Sequence, residues 1–377
     1  MFCKITGAKI SIKNKTNKKT AFFLPFFLFF GPKTLILRLV RPKVTTFYSS
    51  GYYSFFSPSP IIYMYKGELI SVAVALSWTA CAMFAEVASK RMGSLPFNVL
   101  RMALSLVMLM AVMWWYTGQP YPVAADADTW FWLSLSGFVG YVLGDFCLFN
   151  AYILIGSRYG QLLMTLAPPL AALFGWMLLG QSMTWLAILG MCITITGIAT
   201  AIYRPRQHDD TSATLPLRGV LYGIGASIGQ GIGLVLSAKG LMHYEQTVEA
   251  MDLSFAHGGS VATVLPFAST AIRAITGLIG FTLWTTLARQ TQGIRQGIRS
   301  GRTMLAALGA TITGPFIGVS LSLMATLYTS IGIAQTIMAM TPVLIILPTY
   351  LFFHQPIHWR EVLGAIISVC GVALFFV

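Results

Sequence analysis

A single carboxylate, Asp145, stands in Gly144-Asp145-Phe146 inside an otherwise apolar run, with Asn150 five residues further on. A charge at bilayer depth costs about 2.5–3.5 kcal/mol on insertion scales, so such a residue needs a partner, water or a task. Asp145 is therefore a candidate for carrying protons or touching a polar solute. The structural alternative is an ion pair with Arg101 or Arg158. Glu86, about two turns past Trp78, is a second candidate carboxylate, placed either for coupling or to reach the interface. Arg101 and Arg273 occupy matching places in two further runs, after Leu95-Pro96-Phe97 and Leu265-Pro266-Phe267. Two guanidiniums facing one cavity suit an anionic or zwitterionic solute; each is equally placed to snorkel to the headgroups. Gln161, Gln335 and Gln230 can bond a polar solute without burying a charge, or bind helix to helix. Lys239 lies less deep. Trp78, Tyr141, Tyr152 and Tyr328 are cavity-lining candidates whose other reading is packing or interface anchoring.

Other chemistries have no residues to carry them. The five cysteines (Cys3, Cys81, Cys147, Cys192 and Cys370) are spread singly, with no C-x-x-C or Cys/His spacing, so neither a metal nor a disulfide framework is implied. None of the five histidines falls inside an apolar run, and H-E-x-x-H does not occur. A nucleotide-binding G-x-x-x-x-G-K is missing as well. The expectation is a chain that is not an enzyme and needs no cofactor.

The elements that must position the polar groups are membrane helices. Hydrophobic residues make up 56% of the chain and charged residues 10%, outside the range of ordinary soluble domains. From Gly67 onward, apolar runs of about 18 to 25 residues follow one another, long enough for helices across a ~30 Å hydrocarbon core. Ten are expected, near 67–88, 97–116, 130–154, 159–179, 185–203, 219–241, 266–287, 303–326, 329–353 and 360–377. The net charge of +14 is concentrated at the start: residues 1–63 hold ten Lys/Arg and no acid, leaving the rest at +4. Nucleic acid is therefore not an expected partner.

The chain repeats itself without a slip in register. Gly140, Gly144, Gln161, Pro168, Gln181, Trp185, Gly190 and Gly197 recur 174 positions later as Gly314, Gly318, Gln335, Pro342, Gln355, Trp359, Gly364 and Gly371. Residues 64–203 form one copy, 204–217 a polar joining segment and 218–377 the second copy. Five helices per copy is an odd number, so two copies joined directly enter the membrane in opposite directions. The fold class expected is an all-α integral membrane protein, ten transmembrane helices as two inverted five-helix repeats. Pro168 and Pro342, near the middles of the fourth and ninth helices, are candidates for shared bends or for simple tolerated kinks. Gly190, Ile193 and Gly197, with Gly364, Ile367 and Gly371, offer small-residue packing stripes.

Residues 1–63 differ in kind, rich in Lys, Asn, Phe, Tyr and Ile, the residues that AT-rich triplets encode. They read as an extension upstream of a start at Met64. The rival reading, a signal peptide with an apolar run from Ala21 to Phe30, lacks a small-residue cleavage site.

The first helix ending in Ser89-Lys90, the Arg101 helix, and Leu166-Ala167-Pro168…Gly180…Trp185…Gly190…Gly197 together resemble one EamA-type unit. Lys239, Leu265-Pro266-Phe267…Arg273 and Met340-Thr341-Pro342…Trp359…Gly364…Gly371 repeat it. The whole resembles a ten-helix member of the drug/metabolite transporter superfamily. Members commonly carry Glu where this chain has Gln181 and Gln355. The resemblance implies a basket of helices one to four and six to nine around a central cavity, helices five and ten outside it, and one half moving against the other.

The function expected is secondary transport, in the export direction, of a small metabolite or amphipathic compound by alternating access, coupled to protons or to exchange. The partners are the lipid bilayer, a small-molecule solute and protons; oligomeric state stays open. The rival classes are a membrane-embedded lipid-modifying enzyme and a non-transporting partner subunit. The expected location is a bacterial inner membrane. Eleven basic loop residues from Lys90 to Arg360 lie on one side against Lys66 and Lys239 on the other, which puts both termini outside by the positive-inside rule. The resemblance implies both termini inside.

Overall fold

Helices begin and end where the sequence supplies breaks. In the computed structural model, which describes residues 65–179, 184–202, 215–251, 260–329 and 331–375, α1 (Lys66–Met92) stops at Gly93, whose φ is 88°. The next helix, α2 (Ser94–Thr117), is closed by left-handed Gly118. Asp126 then caps α3 (Ala127–Met164), accepting the Thr129 N–H at 2.9 Å. Within the first copy follow α4 (Ala167–Leu179) and α5 (Trp185–Ile202). The second copy contains α6 (Leu217–Ala250), α7 (Val261–Leu287), a short basic α8 (Thr291–Arg299), α9 (Gly301–Tyr328), α10 (Ile333–Phe353) and α11 (Trp359–Phe375). The expected extension 1–63, the start at Met64, Gln181 and most of the joining segment lie outside the described residues.

All described elements are helical. Eight of the helices are long and apolar enough to cross a membrane. The expected fourth span is covered by the end of α3 beyond its break at Gly156 together with the 13-residue α4. The tenth is covered by α11, whose 17 residues fall short of the about 20 of a full crossing. Two irregularities repeat at the 174-residue offset. A wide, π-helical turn runs through α3 at Phe138–Asp145 and through α9 at Ile312–Val319. The helical ladder also loosens at Thr165-Leu166 and at Ala339-Met340, just before Ala167-Pro168 and Thr341-Pro342. A proline cannot donate to the preceding turn, so each break sits where the backbone bond is already missing. π-Helical turns tend to mark functional stretches of helices.

Equivalent helices from the two copies cross in opposite directions. On α5 and α11, Cβ atoms added at Gly364 and Gly371 would meet Gly197 and Gly190 respectively, so the two chains run antiparallel. α3 and α6 do likewise: Gly144 faces Gly229 and Gly140 faces Gly233, with Ser136 Oγ donating to Gly233 O at 2.7 Å. A Cβ on Gly229 would lie 2.7 Å from Gly144 Cα, so only glycine permits this approach. The symmetry-related pair, α1 and α9, is stitched by Ser77 Oγ donating to Thr313 O at 2.8 Å. The outer surface is apolar, with Trp114, Trp115, Trp176, Trp185 and Trp359 exposed. Trp and Tyr favour the membrane–water boundary.

Candidate functional site

A cavity of about 1230 Å³, including its opening, lies between the two copies. Its walls come from α1 to α4 and from α6, α7, α9 and α10; among the described residues, none comes from α5 or α11. The packing above explains this division, because α5 and α11 spend their small-residue faces on each other.

The polar floor of the cavity is one network. Asp145, at the end of the π-helical turn of α3, is 4% exposed. Its Oδ2 pairs with Arg101 Nη2, and its Oδ1 accepts from Gln230 Nε2 at 2.9 Å. Both oxygens are thereby engaged, and Gln230 also donates to Gly140 O at 3.2 Å. Arg101 lies over the Phe149 ring, 4.6 Å from its centroid. Arg273, 5% exposed, stacks on Tyr141 at 4.6 Å and makes no ion pair or hydrogen bond among the described residues. Snorkelling is not the arrangement seen for either arginine, since both line the interior cavity. Two guanidiniums against one carboxylate leave the walls with a formal excess of one positive charge.

Higher up, the two copies contribute matched groups. Gln161 and Gln335 line the cavity, as do Pro168 and Pro342. Gln161 Nε2 donates to Tyr152 OH at 2.5 Å. Trp78 forms part of the wall from α1, beside Gly318 of α9. The remaining lining is mostly apolar, with Leu148, Met164, Leu234 and Met338 among it.

An apolar chamber at mid-helix depth with a buried charged network suits passage of a solute, and the comparison with known families agrees. The EamA-like transporter family matches the chain twice, over residues 65–203 and 217–377. The chain belongs to the EamA-like transporter family. That family comprises membrane transporters of small molecules rather than enzymes, and this EamA-like chain is a multi-pass integral membrane protein. A solved structure described as "Crystal structure of protein" is similar at 16% identity, covering 82% of this chain and 96% of its own, with a TM-score of 0.49. No curated protein matches the chain.

Four of the sequence candidates in this EamA-like chain, Glu86, Asn150, Lys239 and Tyr328, stand away from the cavity. Glu86 binds Lys90 Nζ at 2.5 Å and accepts the Ser157 N–H at 2.7 Å. It thus holds the point where α3 breaks at Gly156, whose φ of 81° and ψ of 163° are open almost only to glycine. Asn150 turns back on its own helix, donating to Phe146 O at 2.7 Å. Lys239 lies over the Trp132 ring at 3.8 Å.

Sequence reasoning missed a second buried ion pair. Arg158, just after the Gly156 break, donates to Glu361 at 2.8 Å, to Thr349 Oγ1 at 2.9 Å and to Pro356 O at 2.9 Å. Tyr159 OH donates to the other oxygen of Glu361. This cluster ties the first copy to the start of α11 and the end of α10. The partners lie about two hundred residues apart, so no local spacing signals them. Gln355 contributes its backbone carbonyl, 3.4 Å from Arg158 Nη2.

Proposed function

We propose that the chain is a secondary transporter that exports a small metabolite or amphipathic compound by alternating access, coupled to protons or to exchange. The observation that carries this reading is the chamber between two oppositely directed copies, with Asp145, Arg101 and Gln230 joined at its floor. A carboxylate held this deep is a candidate for taking up a proton and releasing Arg101 as it does so. Trp78, Gln161, Gln230, Gln335 and Arg273 are the groups offered to the solute. Pro168 and Pro342, each behind a loosened turn, are the proposed bends about which α4 and α10 move.

The Arg158–Glu361–Tyr159 cluster is the proposed closure at one end, since it ties α10 and α11 to the first copy. Lys90, Arg91, Arg158 and the arginines of α8 gather at that end, where a Cβ on Gly293 would meet Met92 O. That supports placing it in the cytoplasm of a bacterial inner membrane. The experiment is a reconstitution into proteoliposomes, with labelled amphipathic solutes followed under an imposed pH gradient. Gradient-driven flux that disappears in Asp145→Asn supports the reading. Flux that ignores both the gradient and the substitution contradicts the coupling, and flux indistinguishable from empty vesicles contradicts transport.

A further inference from the structure

We propose that the cavity takes a small organic monoanion with an apolar body, and that Arg273 holds its anionic group. The inference rests on the transporter reading and narrows the class of solute.

The two copies aim an arginine at equivalent places. Arg101 of α2 reaches toward Gly314 of α9, and Arg273 of α7 reaches toward Gly140 of α3; those glycines are 174 residues apart. A Cβ on Gly140 would lie 3.2 Å from Arg273 Nη2, and one on Gly314 would lie 3.6 Å from Arg101 Nη1. Each guanidinium therefore uses space left by a glycine of the other copy. Each also lies on an aromatic face at the same 4.6 Å.

The counter-ions do not match. Arg101 has Asp145 from its own copy. The position 174 residues beyond Asp145, where symmetry would put the acid for Arg273, is Val319, and Val319 lines the cavity. Asp145 cannot serve both arginines by hydrogen bonding, because its second oxygen is taken by Gln230.

The unfilled hydrogen-bonding capacity has one character. Arg101 Nε, Arg273 Nε and Tyr141 OH are buried without a partner, and all three can donate. What the chamber lacks is an acceptor. A buried guanidinium without an anion is costly, whereas a carboxylate or sulfonate presents oxygens that match its planar fork. A cationic solute meets charge of its own sign, and a neutral one leaves Arg273 uncompensated. The excess of one positive charge sets the number, and Trp78, Phe149 and Met338 set the apolar body.

The test uses three probes of one shape and different charge: benzenesulfonate, benzenesulfonamide and benzylamine. Purified protein in detergent is expected to show a saturable rise in Tm with benzenesulfonate at concentrations where the other two have no effect. Arg273→Gln removes that response. Val319→Asp supplies the missing acid and weakens half-saturation by about tenfold or more, the scale of one charge-assisted contact. Val319→Asn, the same shape without charge, keeps the response. Melting of each variant without probe reports its folding, and Val319→Asp stands as the second test where Arg273→Gln does not fold. The proposal is overturned by a benzylamine response equal to that of benzenesulfonate, by no benzenesulfonate response in the wild type, or by a half-saturation that Val319→Asp leaves unchanged. Radiolabelled benzenesulfonate counterflow in proteoliposomes tests transport separately: binding without counterflow keeps the anion site and removes the transporter reading.

Discussion

The hydroxyls of Thr194 and Ser368 each bond the other's backbone carbonyl, at 3.4 and 3.3 Å, and the two residues are one position of the repeat, 174 apart. A position meets its own counterpart in this way where a two-fold axis passes between them. Because α5 and α11 run antiparallel there, the axis lies across the helices and relates the two copies by inversion in the membrane. The close approach depends on glycine. A Cβ on Gly364 would fall 2.5 Å from Gly197 O and 2.6 Å from Ala201 Cβ. Gly364→Leu is expected to cost about 1–3 kcal/mol through overpacking, read as a lower Tm in detergent. Exposed Leu186→Ala on the same helix pair should change stability by under about 0.5 kcal/mol. Equal melting of Gly364→Leu and the wild type would contradict the packing.

The Arg101–Asp145 pair makes a second prediction. Removing one member strands the other at depth, so Asp145→Ala should destabilise the protein by about 3–5 kcal/mol. Arg101→Gln combined with Asp145→Asn should lose less than the sum of the single substitutions. A double-mutant cycle by denaturation measures this, and strict additivity would deny the coupling.

The junction at Gly156 makes a third. Its backbone conformation is one that side chains rarely adopt, and Gly156→Ala should cost about 1–3 kcal/mol. Glu86→Gln weakens the acceptor for the Ser157 N–H and should cost about 1–2 kcal/mol. Both are read from unfolding curves. A neutral Gly156→Ala would mean that α3 passes through its break in another conformation.

Much of this was legible in the residues because the 174-residue offset is carried largely by glycine and proline, whose packing and backbone demands survive duplication. Gly140 and Gly144 against Gly314 and Gly318 announced close helix approach. The π-helical turns at the same glycines were not announced, since one extra residue per turn leaves no mark on hydrophobic periodicity. Asp145 and Arg101 could be picked out because charge in an apolar run is rare. Glu86 looked the same but has Lys90 one turn on and serves the Gly156 break. Asn150 satisfies itself on the preceding turn, which depth in a helix does not foretell. The Arg158–Glu361 pair was invisible for a plainer reason: Arg158 follows the break in α3 and Glu361 opens α11, and only the fold brings them together.

The Arg158–Glu361–Tyr159 cluster predicts a gate. Glu361→Gln leaves Arg158 without its anion and weakens the link between copies, so the cavity should open more often at that end. A cysteine placed at Gln161 in a chain freed of its native cysteines should then react several times faster with a membrane-impermeant maleimide added on the Arg158 side. An unchanged rate would make the cluster a structural clasp and nothing more.

The most direct test of two inverted halves around a shared chamber needs no substrate. Gln161→Cys in the same cysteine-free background, in sealed vesicles of each orientation, is exposed to the impermeant maleimide from one face at a time. Alternating access predicts labelling from both faces while the bilayer itself stays a barrier to the reagent. Labelling from neither face would mean a closed interior, and labelling from one face alone in both orientations and under either direction of pH gradient would contradict the account.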